Sequence, residues 1–200
     1  MSDIRKARLA TAWLDGCSGC HMSLLDMDER LLELAPLIDI VLSPYVDLKE
    51  LPADGDCALL GDAPGNDAPI DVTLVEGAVS SQEDLHKVRE LRRRTKYLIA
   101  LGDCAVTGNV PAMRNFFPVD ELFHRAYVET VDAPLPSEDG AYPSRYVPAL
   151  RTHATPVHHV VPVDLFVPGC PPPADAIYHV LKEVLAGRRP DVSQLTRFGK

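Results

Sequence analysis

The 200-residue sequence is short of positive charge: 20 lysines and arginines stand against 29 aspartates and glutamates, giving a formal net charge of −9. With no basic block to offset that balance, tracking of nucleic-acid phosphates and docking on anionic lipid are both disfavoured. Long apolar runs are missing too. No window approaches the length of a membrane span, and the opening MSDIRKARLATAWLDG has neither a long apolar stretch nor a small-residue cleavage site. The chain is therefore expected to be cytoplasmic. No internal repeat or low-complexity tract appears, which leaves a single globular domain over residues 1–200 as the expectation. Cysteine is scarce and odd in number, five in all. In a reducing compartment these are not expected to be stapled as disulfides, and an odd set cannot pair fully within one chain, so metal binding or redox work rises in rank.

What is present alternates. Apolar runs at 8–14, 38–43, 71–77, 97–102 and 164–169, rich in Val, Ile and Leu and bounded by Gly, Pro or Asp, have the length and composition of buried strands. Helical patterns separate several of them. Leu24, Leu25, Asp28, Leu31, Leu32 and Ala35 form one apolar stripe broken once, and Leu85, Val88 and Leu91 form another. The latter helix is predicted to open on a capping box of Ser80 and Glu83, with Arg92, Arg93 and Arg94 serving its C-terminal dipole. A last helix runs from Pro173 to stop signals at Gly187 and Pro190. This alternation predicts an α/β fold, a flavodoxin-like doubly wound five-stranded parallel sheet of order 2-1-3-4-5. Two segments depart from it: an acidic Gly/Pro-rich stretch at 47–69, and a proline-rich irregular or hairpin insert at 128–163, before the last strand.

On that sheet the cysteines fall into a pattern. Cys17 and Cys20 follow the first strand, Cys104 the fourth and Cys170 the fifth. In an open parallel sheet all carboxyl ends lie along one edge, where ligands bind, so four thiols can converge there. Cys57, in the middle of DGDCALL, follows no strand and is read as a small buried hydrophobe outside the set.

Four thiolates admit tetrahedral zinc or an iron-sulfur cluster. Only the first pair has the C-x-x-C spacing of a zinc knuckle, and two lone ligands on distant loops suit the wider footprint of a cubane. Gly16, Gly19, Gly102 and Gly169 beside the thiols let backbone N–H groups approach cluster sulfurs. A thioredoxin-like redox pair would use Cys17 and Cys20 and leave Cys104 and Cys170 without a role. A flavodoxin-like sheet also raises FMN, but the loop after the first strand, DGCSGCHMS, is occupied by two cysteines and has no hydroxyl-rich phosphate cradle.

Other residues are read more plainly. His21, Glu76 and Asp103 fall at the predicted site, where they can bond cluster sulfurs or pass protons; Asp103 is expected simply to cap a turn. His153, His158 and His159 lie in the proline-rich insert with no cysteine or carboxylate to complete a metal geometry, and are expected at a surface or interface. Trp13, the single tryptophan, is expected in the core.

The motifs WLDGCSGCHMSLL, VEGAVSS, ALGDCAVTGNVP and VPGCPPPADAI, in that order, resemble the small subunit of cytoplasmic, NAD-reducing nickel-iron hydrogenases. More distantly they resemble the cluster-bearing subunit of respiratory complex I. The resemblance implies that Cys17, Cys20, Cys104 and Cys170 ligate one 4Fe-4S cluster, nearest a nickel-iron centre carried by a separate large subunit. It implies further that electrons from H2 pass to a diaphorase module holding iron-sulfur clusters, FMN and NAD, and that the large subunit covers the thiol-bearing face. Three departures narrow the family. The protein is expected to lack the twin-arginine signal and C-terminal cluster extension of membrane-bound and periplasmic hydrogenases. Complex I has adjacent cysteines where this sequence has Cys17-x-x-Cys20, and the added ferredoxin-like cysteines of coenzyme F420-reducing relatives are lacking.

Overall fold

The computed structural model describes residues 5–48, 69–130 and 142–199, so Cys57 lies outside the described residues. In chain order its elements are β1 (Ala7–Trp13), α1 (Gly19–Leu25), α2 (Arg30–Leu34), β2 (Ile38–Leu42), β3 (Ile70–Glu76), β4 (Val79–Ser81) and α3 (Gln82–Arg94). There follow β5 (Thr95–Leu101), α4 (Gly102–Thr107), α5 (Asn109–Ala112), α6 (Val119–His124), β6 (Leu150–Thr155), β7 (Leu165–Val167) and α7 (Ala174–Leu185). Five strands form one parallel sheet, β2-β1-β3-β5-β7. Counting only those five, this is the predicted 2-1-3-4-5 order.

Alternation along the central strands explains why both faces are covered. Val72 and Leu74 of β3 and Ile99 and Leu101 of β5 pack with Leu24 of α1, Leu34 of α2 and Ile177, Val180 and Leu181 of α7 on one face. Val75 of β3 and Leu98 and Ala100 of β5 meet Val88 of α3 and Ala105 and Val106 of α4 on the other. A strand buried on both sides must be apolar at nearly every position, as these runs are. At the amino edge, Asp71 ties three strands together: it accepts from Arg8 N of β1 at 2.9 Å and pairs with Arg5 and with Lys96 of β5. Partial burial pushes its carboxyl upward, but Lys96, the Arg8 amide and Arg5 outweigh that and hold it below the usual range.

Several local expectations shift. The capping box sits one residue later than predicted: Ser81 Oγ accepts from Asp84 N at 3.0 Å and the Asp84 carboxylate accepts from Ser81 N at 2.9 Å. The chain is still extended at Ser81 because β4 pairs antiparallel with β6, which comes from the proline-rich insert. The broken stripe at 24–35 becomes two helices, α1 and α2, separated by Asp28 at φ +50°. Of the arginines, Arg92 spans to Asp164, while Arg93 and Arg94 pair with Glu90. They brace side chains as well as the helix end. Trp13 is not core: it is 45% exposed, donates to Gly16 O at 3.1 Å, and lines a groove with residues of α3. It ends β1, on the open groove beside α3. Among the described residues no helix is long and apolar enough to cross a membrane.

Candidate metal centre

All four predicted cysteines lie past the carboxyl ends of parallel strands: Cys17 and Cys20 after β1, Cys104 in the first turn of α4 after β5, and Cys170 after β7. Cys20 is buried, Cys104 half-buried, and Cys17 and Cys170 exposed, so the group faces outward from a buried root. The loops touch one another. A Cβ on Gly102 would stand 2.1 Å from Cys20 Sγ, and Gly102 holds φ +83°, so glycine alone lets α4 begin against α1. A Cβ on Gly19 would stand 3.3 Å from Cys17 Sγ and 4.0 Å from Pro171 Cβ. Ser23 Oγ donates to Pro172 O at 2.6 Å, fastening the Cys170 loop to α1.

The thiols act on one another electrostatically. Burial, the Glu76 carboxylate, and the neighbouring Cys104, Cys17 and Cys170 push the Cys20 thiol far up. Burial, Cys170 and Cys17 push Cys104 up to about 11, against hydrogen bonds from Val110 N–H and the Asn109 amide that pull it down. Four mutually repelling thiolates on one edge are costly without a cation to share. Metal loading must therefore expel protons, and rising pH favours it. Among the described residues no three His, Cys, Asp or Glu side chains are arranged to hold a single metal ion. The donor set, four thiols on three loops that touch one another beside small glycines, fits a metal group that takes soft thiolate ligands from several sides.

Beneath the first ligand loop lies Glu76, 2% exposed at the end of β3. Its carboxylate accepts from His21 N at 2.9 Å and Cys20 N at 3.4 Å, and contacts His21 Nδ1 closely. His21 is equally buried, its ring edge-on to Tyr45 at 5.0 Å between centroids, and its Nε2 has no partner among the described residues. Both residues were placed at the site by the sequence; that they clamp the Cys17–Cys20 turn from below was not legible there.

Asp103 does more than cap a turn. Buried beside Cys104, its carboxylate accepts from Gly169 N at 2.7 Å and Gly199 N at 2.8 Å, and its own N–H donates to Gly169 O at 2.9 Å. One side chain thereby joins the Cys104 loop, the Cys170 loop and the segment near Gly199. Replacing Asp103 with Ala is expected to cost on the order of 3 kcal/mol, chiefly from the buried Gly169 N–H losing its acceptor and in smaller part from the part-buried Gly199 N–H. Urea denaturation of Asp103→Ala beside the parent checks it; an unchanged midpoint would mean that water replaces the carboxylate at no cost. His158 and His159 contact each other edge-on at 4.6 Å and His158 meets Phe166, apart from the thiols. Sequence reasoning missed Asn109, whose amide nitrogen lies 3.6 Å from Cys170 Sγ. The Gly-Asn step signals a turn, but nothing local says what the amide meets.

Comparison with known proteins places this geometry. Residues 17–184 match the family described as NADH ubiquinone oxidoreductase, 20 Kd subunit. The chain is 38% identical over 195 residues to the NAD-reducing hydrogenase HoxS subunit delta of Cupriavidus necator, covering 96% of this chain and 86% of the relative. It is 36% identical over 183 residues to a subunit of the F420-non-reducing hydrogenase of Methanothermobacter marburgensis, spanning 91% of this chain but 54% of that relative's length. A crystal structure of an NAD+-reducing NiFe hydrogenase in the H2-reduced state has a chain of TM-score 0.82 and 35% identity, covering 97% of this chain and 99% of that one. A Ni-Fe-Se hydrogenase from Desulfomicrobium baculatum, at 19% identity and TM-score 0.54, shares the fold over 95% of this chain and 68% of its own.

Proposed function

The chain belongs to the NADH ubiquinone oxidoreductase 20 Kd subunit family, and from that premise we propose that it is the electron-transfer small subunit of a cytoplasmic, NAD-reducing nickel-iron hydrogenase. In this reading residues 1–200 form one domain. Cys17, Cys20, Cys104 and Cys170 hold a single 4Fe-4S cluster, beside a large subunit that carries the nickel-iron centre. Further partners are diaphorase subunits with iron-sulfur clusters, FMN and NAD. The observation that carries the reading is the placement of all four cysteines past the carboxyl ends of parallel strands of one sheet, on loops that touch one another. The C. necator relative, NAD-reducing by name, supports the choice of acceptor.

A bound 4Fe-4S cluster supplies one-electron acceptance and donation. The protein's share is positional. Glu76 holds the Cys20 and His21 amides, Asp103 locks the Cys170 loop to α4, and Gly102 leaves room for Cys20 Sγ. The outward placement of Cys17 and Cys170 suits exchange of electrons with metals on another subunit, since a centre sealed inside its own domain lies too far from them.

The test is elemental analysis for iron, zinc, nickel and acid-labile sulfide on the chain purified anaerobically with its co-purifying subunits. Iron and sulfide attributable to this chain at about four each, with nickel only where a larger subunit is present, is the expected result. Zinc near one per chain without sulfide would replace the relay with a structural site.

A further inference from the structure

We propose that Asn109 is the residue that sets the cluster's reduction potential in this chain, by donating its side-chain amide across the sulfurs of Cys104 and Cys170. The proposal rests on the cluster reading above, and its basis is the turn between α4 and α5. Gly108 at φ +89° is followed by Asn109 at φ +33°, a region that asparagine tolerates far better than most residues. Gly108 N donates to Cys104 O at 3.0 Å, and Asn109 N donates to Thr107 Oγ1 at 3.3 Å, so the backbone at this step is held from both sides. The side chain then projects to place Nδ2 at 3.6 Å from Cys170 Sγ, and the same amide also draws the Cys104 thiol downward.

An amide carries two N–H donors, enough for one on each sulfur. Sulfur ligands gain negative charge when a cluster is reduced, so a fixed donor stabilises the reduced form more than the oxidised one and raises the potential. Among the described residues, the side chains at the other two thiols offer nothing similar: Cys20 is backed by the Glu76 carboxylate, an acceptor. Asn109 is also half-exposed on the side where Cys170 is open, so it is placed to respond to whatever covers that face.

The experiment is a redox titration of the anaerobically purified complex, followed by electron paramagnetic resonance, for the parent, Asn109→Gly and Asn109→Asp, with iron and sulfide counted in each. Asn109→Gly keeps the left-handed backbone and removes only the amide. Its reduced-to-oxidised ratio at a fixed solution potential is expected to fall about tenfold, equivalent to about 59 mV for one electron. Asn109→Asp, isosteric but an acceptor with a negative charge, is expected to fall further. Resonance Raman supplies a second readout: exchange into deuterium oxide shifts iron-sulfur stretches in the parent, and part of that shift is lost in Asn109→Gly. If Asn109 only braced the turn, glycine would serve as well. Potentials unchanged in fully loaded variants would then overturn the proposal and leave the cluster reading standing. A parent complex without iron or sulfide would overturn both.

Discussion

Cys20→Ser is expected to leave the chain with less than a quarter of the parent's iron and sulfide, and the complex without H2-dependent electron transfer through it. Cys20 sits deepest of the four thiols, 7% exposed, and its thiol is pushed up by burial, by Glu76 and by each of the other three. A serine hydroxyl is a hard donor that does not ionise near neutral pH, so it holds iron poorly where thiolate holds it well. Burial adds to this, since no water or outside thiol can reach the position to take its place. Cys17→Ser and Cys170→Ser, both at exposed ligands, are expected to retain part of the iron when loaded with excess iron and sulfide at raised pH. Cys57→Ser is the control, with iron equal to the parent. Loss of iron in Cys57→Ser, or its full retention in Cys20→Ser, would dismantle the ligand set.

Glu76→Ala is expected to destabilise the fold by about 3–5 kcal/mol, since each buried donor left without its acceptor costs about 1–3 kcal/mol. Three groups lose their acceptor together: Cys20 N, His21 N and His21 Nδ1. Among the described residues His21 would then have no partner at either ring nitrogen, since Nε2 already has none there. Glu76→Gln keeps one acceptor oxygen and the side-chain volume, and should recover at least half of the loss. Urea denaturation of the cluster-free chain measures both, and iron retention at matched temperature reports whether the Cys17–Cys20 turn has loosened. A loss under about 1 kcal/mol in Glu76→Ala would show that the carboxylate is not what holds the turn.

The sheet was legible because its strands are buried on both faces. Continuous Val, Ile and Leu runs such as TLV in β3 and LIAL in β5 leave little alternative to a central parallel strand. The short helices α4 to α6 were not legible, because they span only four to six residues each and start from turns at Gly102, Gly108 and Pro118 rather than from an apolar period. Trp13 was misplaced for a related reason. Its apolar neighbours in β1 mark a strand, but which residue of that strand stays open to solvent is a property of the assembled layers.

The same division runs through the site. Sequence alone determined the four thiols, their glycines and their order after successive strands, because strand ends in a parallel sheet must share one edge. It also marked Glu76 and Asp103 as neighbours of those thiols. Only the tertiary structure decided what these side chains hold: Glu76 grips amides 55 and 56 residues away, Asp103 reaches Gly169 and Gly199 at separations of 66 and 96, and Asn109 meets Cys170 at 61. Periodicity reports which face of an element is buried, and turn chemistry reports where the chain reverses. Neither carries the distance between two loops until the sheet between them has set its register and twist.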